Sequence, residues 1–483
     1  MPRPTSPSAL STLFRLKPVT TEDDSGLKRV LGPASLVALG VGATIGAGLF
    51  SLTGIAAGDN AGPAVTLSYL IAAIACGFAG LCYSELASMI PVSGSAYSYA
   101  YVAMGELVAW IIGWDLVLEY AVGAATVSVS WSGYITSLLA EWGIHLPARL
   151  TASPFETVPL PDGTTTTGIA NVPAAFIIAL VSLMLIRGTS ESARVNAVIV
   201  TIKLSVIAAF IGFGLPWIDT ANYHPFIPPN EGTFGHYGFS GVMRAAGTIF
   251  FAYIGFDALS TAAQETKNPK RDMPIGIIGS LLVCVLAYAS FSFVLTGIVN
   301  YKDMIGDPAP VATAIDRTHA TWLRLAVKFG ILAGFTSVLL VLLLGQSRVF
   351  FAMSKDGLLP PLFSKTHKRF HTPWLSNLFF MVITGALAAF LPIAELGHMT
   401  SIGTLLAFTI VCAGVLILRR TTPDMERKFR VPGGPVIPIL GIASCLTVMI
   451  SLDSLTWLRL VVWLALGAII YFGYSRRHSL LNR

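Results

Sequence analysis

Apolar runs of about twenty residues, each long enough to cross roughly 30 Å of hydrocarbon as a helix, follow one another along almost the whole chain. No other feature constrains folding so strongly. Hydrocarbon offers no partner to a backbone N–H or C=O, so such runs must fold as helices that pair those groups internally. Twelve runs can be placed. In the first half they centre within Pro33 to Ala57, Gly62 to Ile90, Leu107 to Leu139, Val172 to Ile186, Val195 to Leu215 and Ser240 to Ala263. In the second half they centre within Pro274 to Val299, Leu323 to Phe351, Trp374 to Leu391, Leu396 to Leu418, Val436 to Leu452 and Thr456 to Tyr474. With 54% hydrophobic and 12% charged residues among 483, an ordinary soluble domain is excluded.

Orientation follows from the basic residues between the runs. With the N-terminus inside, the inner segments carry about 23 Lys and Arg against about three outside, Arg149, Lys302 and Arg317. Both termini are therefore expected in the cytoplasm. The net charge of +6 is accounted for by this asymmetry, since "KNPKRD", "KTHKRF" and "ERKFR" all fall on the inner side. Nucleic-acid binding need not be invoked, and the same clusters suit anionic lipid headgroups. Residues 1–32 are polar and charged, unlike a cleavable signal, and read as a flexible cytoplasmic tail. The outer segment "ARLTASPFETVPLPDGTTTTGIA" reads as a surface loop. Cys76, Cys82, Cys284, Cys412 and Cys445 lie in apolar runs without metal-ligand spacing and read as packing residues.

The first run contains "GVGATIGAGLF", Gly40 to Phe50, with four glycines in nine residues. Each weakens a helix by about 1 kcal/mol relative to alanine, so a break is expected there. Around the sixth run, "FFAYIGFDALS" repeats the pattern: Ala252, Ile254 and Gly255 echo Ala43, Ile45 and Gly46 about 209 positions later. Five runs separate the two stretches, and an odd number inverts the second relative to the first. Paired glycine-interrupted helices in inverted halves point to a transporter's binding site at the membrane midplane. Broken helices are tolerated there because their freed N–H and C=O groups line a cavity. An outer half-helix N-terminus presents donors to an anion, and freed carbonyls can hold a cation, so a zwitterion suits such a site. A Gly-rich nucleotide loop would need a preceding strand and a partner acid or Lys-Ser/Thr, which are missing. Neither HExxH nor GxSxG occurs, so a membrane enzyme has no chemistry to run on.

Four longer stretches carry a resemblance: "GLKRVLGPASLVALGVGATIGAGLF", "YSELASMIPVSGSAYSYAY", "FFAYIGFDALSTAAQETKNPKRDMP" and "GQSRVFFAMSKDGLLP". Together they resemble the amino acid–polyamine–organocation superfamily, and within it the cationic amino acid transporter family of bacterial permeases. The resemblance implies an all-α membrane protein of the leucine-transporter type, with a 5+5 inverted repeat and two further C-terminal helices. The first repeat would span 33–215, the second 240–420, and the last two helices 421–483. It also implies that Gly46, Ala47 and Gly48 offer backbone amides to a substrate carboxylate. The carbonyls of Thr44, Phe251, Ala252 and Ile254 would receive its ammonium, with Ile45 in the same binding segment. Members often place a hydroxyl residue between the two glycines, where this chain has Ala47. Phe251 matches the aromatic residue that caps the substrate in relatives.

Ionisable groups deep in a span are costly unless paired or hydrated, so each is a functional candidate. Lys203 lies about 12 Å into the fifth run. Either its long stem snorkels to the cytoplasm, or it takes the place of a sodium ion and carries the coupled proton, as the resemblance implies. Asp257 either links substrate occupancy to Lys203 or caps a half-helix beginning near Ala258. Asp115 and Glu119, one helical turn apart, share a face. They either favour a cationic side chain or are hydrated near the inner end of their span. Thr336 and Ser337 correspond to hydroxyls that bind sodium in some members of the fold, with small-residue packing as the alternative. Arg244, Arg324, Lys328 and Arg459 read as snorkelling residues near outer ends.

These readings together predict a proton-coupled L-amino acid symporter of the cytoplasmic membrane, working by alternating access, with no cofactor and no catalytic residues. Its partners would be the amino acid and membrane lipid. Exchange of amino acids or amines, sodium coupling, and a non-transporting sensor are the alternatives. The residues leave neutral against cationic preference and oligomeric state open.

Overall fold

The computed structural model of the chain describes residues 13–17, 31–90, 95–159, 164–188, 193–257, 259–260, 263, 266–307, 309–318, 321–370 and 372–482. Within them the chain is built almost entirely of helices. The principal ones are α1 (Pro33–Thr44), α2 (Ala47–Phe50), α3 (Leu52–Ala56), α4 (Val65–Met89), α5 (Ser95–Ala103), α6 (Glu106–Val117) and α7 (Gly123–Glu141). After an outer loop come α8 (Val172–Ile186), α9 (Ala193–Gly214), α10 (Gly238–Ile249), α11 (Pro269–Ile298) and α12 (Pro310–Arg317). The chain finishes with α13 (Thr321–Lys355), α14 (Trp374–Phe390), α15 (Ile393–Thr421), α16 (Val436–Ser451) and α17 (Ser454–Ile470). Among the described residues, seven helices are long and apolar enough to cross a membrane, and four shorter apolar ones accompany them. Their outward faces carry bare aliphatic side chains such as Leu286, Val382 and Ile469, as a surface facing lipid requires.

Local sequence sets the ends. Proline stands in the first turn of α1, α8, α11 and α12, where its missing N–H costs nothing. Asn171 caps α8 by accepting the Ala174 N–H at 3.2 Å, and Asp453 caps α17 by accepting the Thr456 N–H at 3.0 Å. α6 and α7 join through π-helical Leu118–Val122, a register change that lies where Glu119 and Tyr120 sit.

The expected breaks are present in both runs. α1 ends at Thr44, Ile45 is extended, and α2 begins at Ala47. α10 ends at Ile249 and tightens into a 3-10 turn, Phe250–Tyr253; Ile254 is then extended and Gly255 takes a φ of +116°. The two isoleucines of the sequence echo are thus the two extended residues. Beyond this point the half-helix expected near Ala258 lies outside the described residues.

Three expectations need correction. Leu13–Lys17 is not a loose tail: Lys17 pairs with Asp356 at 2.7 Å, its N–H donates to the Tyr101 carbonyl at 3.2 Å, and Arg15 donates to the Leu481 carbonyl. The rest of 1–30 lies outside the described residues. Secondly, the outer loop is partly ordered as an antiparallel hairpin, Thr157–Pro159 against Thr165–Thr167, because its β-branched threonines favour strand. Thirdly, the four basic residues read as snorkelling have protein partners: buried Lys328 holds Glu141, Arg459 holds Glu395, Arg324 holds Asp316 at 3.1 Å, and Arg244 donates to the Ser451 carbonyl at 3.1 Å. The five cysteines are buried and unbridged.

Candidate functional site

The two broken stretches cross in the middle of the bundle. A methyl group added at Gly48 would come within 2.2 Å of the Ala252 Cα, and one added at Gly255 within 2.7 Å of the Ala43 carbonyl carbon. Each break therefore rests on the backbone of the other, an approach that only glycine allows. Gly46, Ala47 and Gly48 open α2, so their N–H groups are among the donors that a helix start leaves without intrahelical acceptors.

A cavity of about 10 Å³ lies beside this crossing, lined by Ala43, Thr44, Gly46, Ala47, Val127, Phe251, Ile254, Val338 and Leu342. That free volume holds about one water molecule. Phe251 is part of its wall: the side chain is buried, and its ring reaches across to Gly123 of α7, where an added methyl group would meet it at 3.3 Å. The Phe251 N–H donates to the Ser401 hydroxyl of α15 at 3.1 Å, which fixes its backbone.

Of the four carbonyls expected to receive an ammonium, three already accept a hydrogen bond. The Tyr288 hydroxyl of α11 lies 2.7 Å from the Ala252 carbonyl and 3.1 Å from that of Thr44. One phenol therefore bridges the two breaks. The Phe251 carbonyl accepts the Ile254 N–H at 3.1 Å within its own turn. Sequence reasoning missed Tyr288. The available signal was a tyrosine in the middle of an apolar run, whose hydroxyl must find a partner when buried.

Lys203 is 1% exposed and turns inward. Its Nζ donates to the carbonyls of Gly42 at 2.6 Å and Ile45 at 3.0 Å, the groups freed where α1 ends. Its stem lies along Gly334 of α13, where an added methyl group would stand 3.0 Å from Cε. Thr336 and Ser337, just beyond, donate to their own helix, to the carbonyls of Leu332 at 2.9 Å and Gly334 at 3.0 Å.

Asp257 braces the second break. Its Oδ1 accepts the Gly255 N–H at 3.2 Å and its Oδ2 accepts the Tyr120 hydroxyl at 3.0 Å. Glu119, beside Tyr120 in the π-helical turn, is buried with no hydrogen-bond partner among the described residues for either carboxylate oxygen. Asp115 is buried against Gly403, where an added methyl group would meet its Oδ1 at 3.2 Å. The carboxylate oxygens of Asp115 are likewise without a hydrogen-bond partner, and neither Asp115 nor Glu119 is in the cavity lining.

Comparison with known proteins agrees with this architecture. A family described as amino acid permease matches residues 31–473. The chain is 43% identical over 479 residues to the methylthioribose transporter of Bacillus subtilis (strain 168), covering 98% of this chain and 100% of that one. It is 44% identical over 477 residues to the branched-chain amino acid permease BcaP of the same organism, covering 98% and 99%. Over 410 residues it is 36% identical to the vacuolar cationic amino acid transporter 4 of Arabidopsis thaliana, covering 82% of this chain and 64% of that one. These relatives are transporters of the amino acid–polyamine–organocation superfamily rather than enzymes. A match over nearly the full length, on a helical membrane architecture with two broken helices crossing at its centre, gives one conclusion: this chain belongs to the amino acid permease family.

Proposed function

We propose that the protein takes up neutral L-amino acids with aliphatic side chains across the cytoplasmic membrane, in symport with protons, by alternating access at the crossing of the two breaks. The fold in this reading is the leucine-transporter 5+5 inverted repeat with two added helices, twelve crossings in all, and both termini are cytoplasmic. The observation that carries it is the ammonium of Lys203 seated on the Gly42 and Ile45 carbonyls. A cation fixed on freed carbonyls does what a sodium ion would do there. Protonating and deprotonating it makes the hold of α9 on α1 depend on a proton, and Thr336 and Ser337, turned to their own helix, are spared as sodium ligands.

The substrate class rests on the lining. Apart from the Thr44 hydroxyl, the cavity's side chains are apolar, and no charged side chain is among them. A cationic side chain would have no counter-charge in such a wall, while an aliphatic one gains about 25 cal/mol for each Å² buried. The name of the BcaP relative points the same way. With room for about one water, the cavity must widen to admit any amino acid, so the structure suits a closed state between inward and outward opening. The identity to the methylthioribose transporter favours a second reading, in which methylthioribose itself is carried, although it has no carboxylate for the α2 amides.

The test is uptake of radiolabelled leucine into sodium-free proteoliposomes under an imposed inward proton gradient, with unlabelled alanine, arginine and methylthioribose as competitors. Gradient-driven accumulation competed by alanine but not by arginine is the expected result. Leucine exchange without accumulation would replace symport by exchange. Competition by methylthioribose alone would transfer the site to the second reading.

A further inference from the structure

The first turns of α11 carry Lys270 and Arg271, and the loop after α15 lays Lys428 and Phe429 beside them. Between them runs a groove of about 580 Å³ floored by Pro274, Ile275, Ile278 and Gly279. Lys270 holds Glu426 at 2.8 Å in a solvent-exposed pair, so three cations face one carboxylate and two positive charges are in excess. Asp272 on the same turn is buried and turned away, accepting the Asn268 N–H at 3.3 Å.

The floor does not end with the groove. Ile275, Ile278, Leu282 and Leu286 are 42%, 38%, 61% and 62% exposed and fall on one face of α11 at helical spacing. From Ile275 to Leu286 this stripe measures about 16 Å, against roughly 15 Å for one leaflet of hydrocarbon. A patch with excess positive charge at the membrane surface thus leads into an aliphatic track one leaflet deep.

We propose that this groove is a binding site for one anionic diacyl phospholipid of the inner leaflet, its headgroup phosphate on Arg271 and Lys428 and an acyl chain along Ile275, Ile278 and Leu282. Charge selects an anionic headgroup over a zwitterionic one, and the aliphatic track selects a lipid over a free phosphate. At about 1 kcal/mol for each excess basic residue near an anionic surface, the preference over phosphatidylcholine is roughly 30-fold.

The location gives the site a consequence. α1 packs along the flank of the same turns, with Gly276 against Leu36 and Gly279, itself in the groove floor, against Val37. The loop bearing Lys428 is itself fixed to buried Glu85, which accepts the Val431 N–H at 2.7 Å and lies 3.6 Å from Arg427. The bound headgroup ties the helix that backs α1 to that anchored loop.

Native mass spectrometry of the full chain in detergent, titrated with dioleoylphosphatidylglycerol or dioleoylphosphatidylcholine, tests this. One phosphatidylglycerol should bind roughly 30-fold tighter than phosphatidylcholine. The Lys270→Gln, Arg271→Gln, Lys428→Gln triple variant should lose that preference. A charge-matched triple, Lys365→Gln, Lys368→Gln, Arg369→Gln, should keep it. Ile278→Trp, which fills the floor and leaves every charge in place, should weaken the same binding step and decides the matter if the first triple fails to fold. Equal loss in both triples, no preference for the anionic lipid, unchanged binding in Ile278→Trp, or displacement by millimolar inorganic phosphate would each overturn the assignment.

Discussion

Replacing Lys203 by methionine leaves an unbranched stem against Gly334 and removes the ammonium from the two carbonyls of α1. A hydrogen bond from a charged donor contributes about 1.5–3 kcal/mol, against about 0.5–1.5 for a neutral one. For the bonds at 2.6 and 3.0 Å, loss of the proton alone therefore weakens the hold on α1 by about 2–3 kcal/mol. That difference moves the ratio of two conformers by roughly 30- to 160-fold, enough to gate a transport cycle. The methionine variant loses the term altogether, so its conformers no longer respond to protonation. In sodium-free proteoliposomes, an inward gradient of one pH unit sustains at most about tenfold leucine accumulation at one proton per substrate. The wild-type protein should approach that ratio; Lys203→Met should fall to no accumulation while still exchanging internal for external leucine. Accumulation by the variant at the wild-type ratio, still following the gradient, would falsify the coupling argument.

Four further outcomes follow from the geometry. Gly48→Ala drives a methyl group into the Ala252 backbone and should abolish uptake with a loss of about 1–3 kcal/mol in thermal unfolding, whereas Gly212→Ala, with nothing within 4 Å, should transport normally. Tyr288→Phe removes the hydroxyl bridging the Thr44 and Ala252 carbonyls and should lower stability by about 1 kcal/mol, read as a reduced melting temperature. Arg419→Met takes from buried Glu85 the two guanidinium bonds at 2.5 and 3.0 Å, leaving it the Val431 N–H and Arg427, and should cost about 1.5–3 kcal/mol; adding Glu85→Gln should recover part of it, and equal melting of the single and double variants would refute the pairing. Val338→Ala widens the cavity wall opposite Gly46 and should shift competition toward larger side chains such as phenylalanine, with an unchanged competition series counting against this wall as the selector.

Much of this was legible in the sequence where chemistry is local. Ile45-Gly46 and Ile254-Gly255 announced the breaks because glycine spacing and the repeated pattern are written in adjacent residues, and the backbone departs from helix at those pairs. That Lys203 would need a partner was also readable, since a lysine deep in an apolar run is costly without one. Which carbonyls it meets was not, because Gly42 and Ile45 lie about 160 residues away and only the packing of α9 on α1 brings them together. The docking of Leu13–Lys17 escaped for the same reason: its partner Asp356 sits at the far end of α13. Asp115 and Glu119 were readable as acids deep in one span. Their burial away from the cavity, with Asp115 against Gly403, follows from helix rotation and from the π-helical turn at Leu118–Val122, which spacing does not encode.

The contact between Gly48 and Ala252 also has a mechanical meaning. Two rods that touch backbone to backbone can turn about the point of contact. Sliding would bring the Ala252 backbone against positions that carry a Cβ, Ala47 or Leu49, whereas only Gly48 leaves room for so close a contact. In the proposed transport cycle this contact would be a pivot, still while the ends of both half-helices swing. A substrate held on it would then remain in place as the route to it changes sides, each half of the molecule acting as a lever about that point.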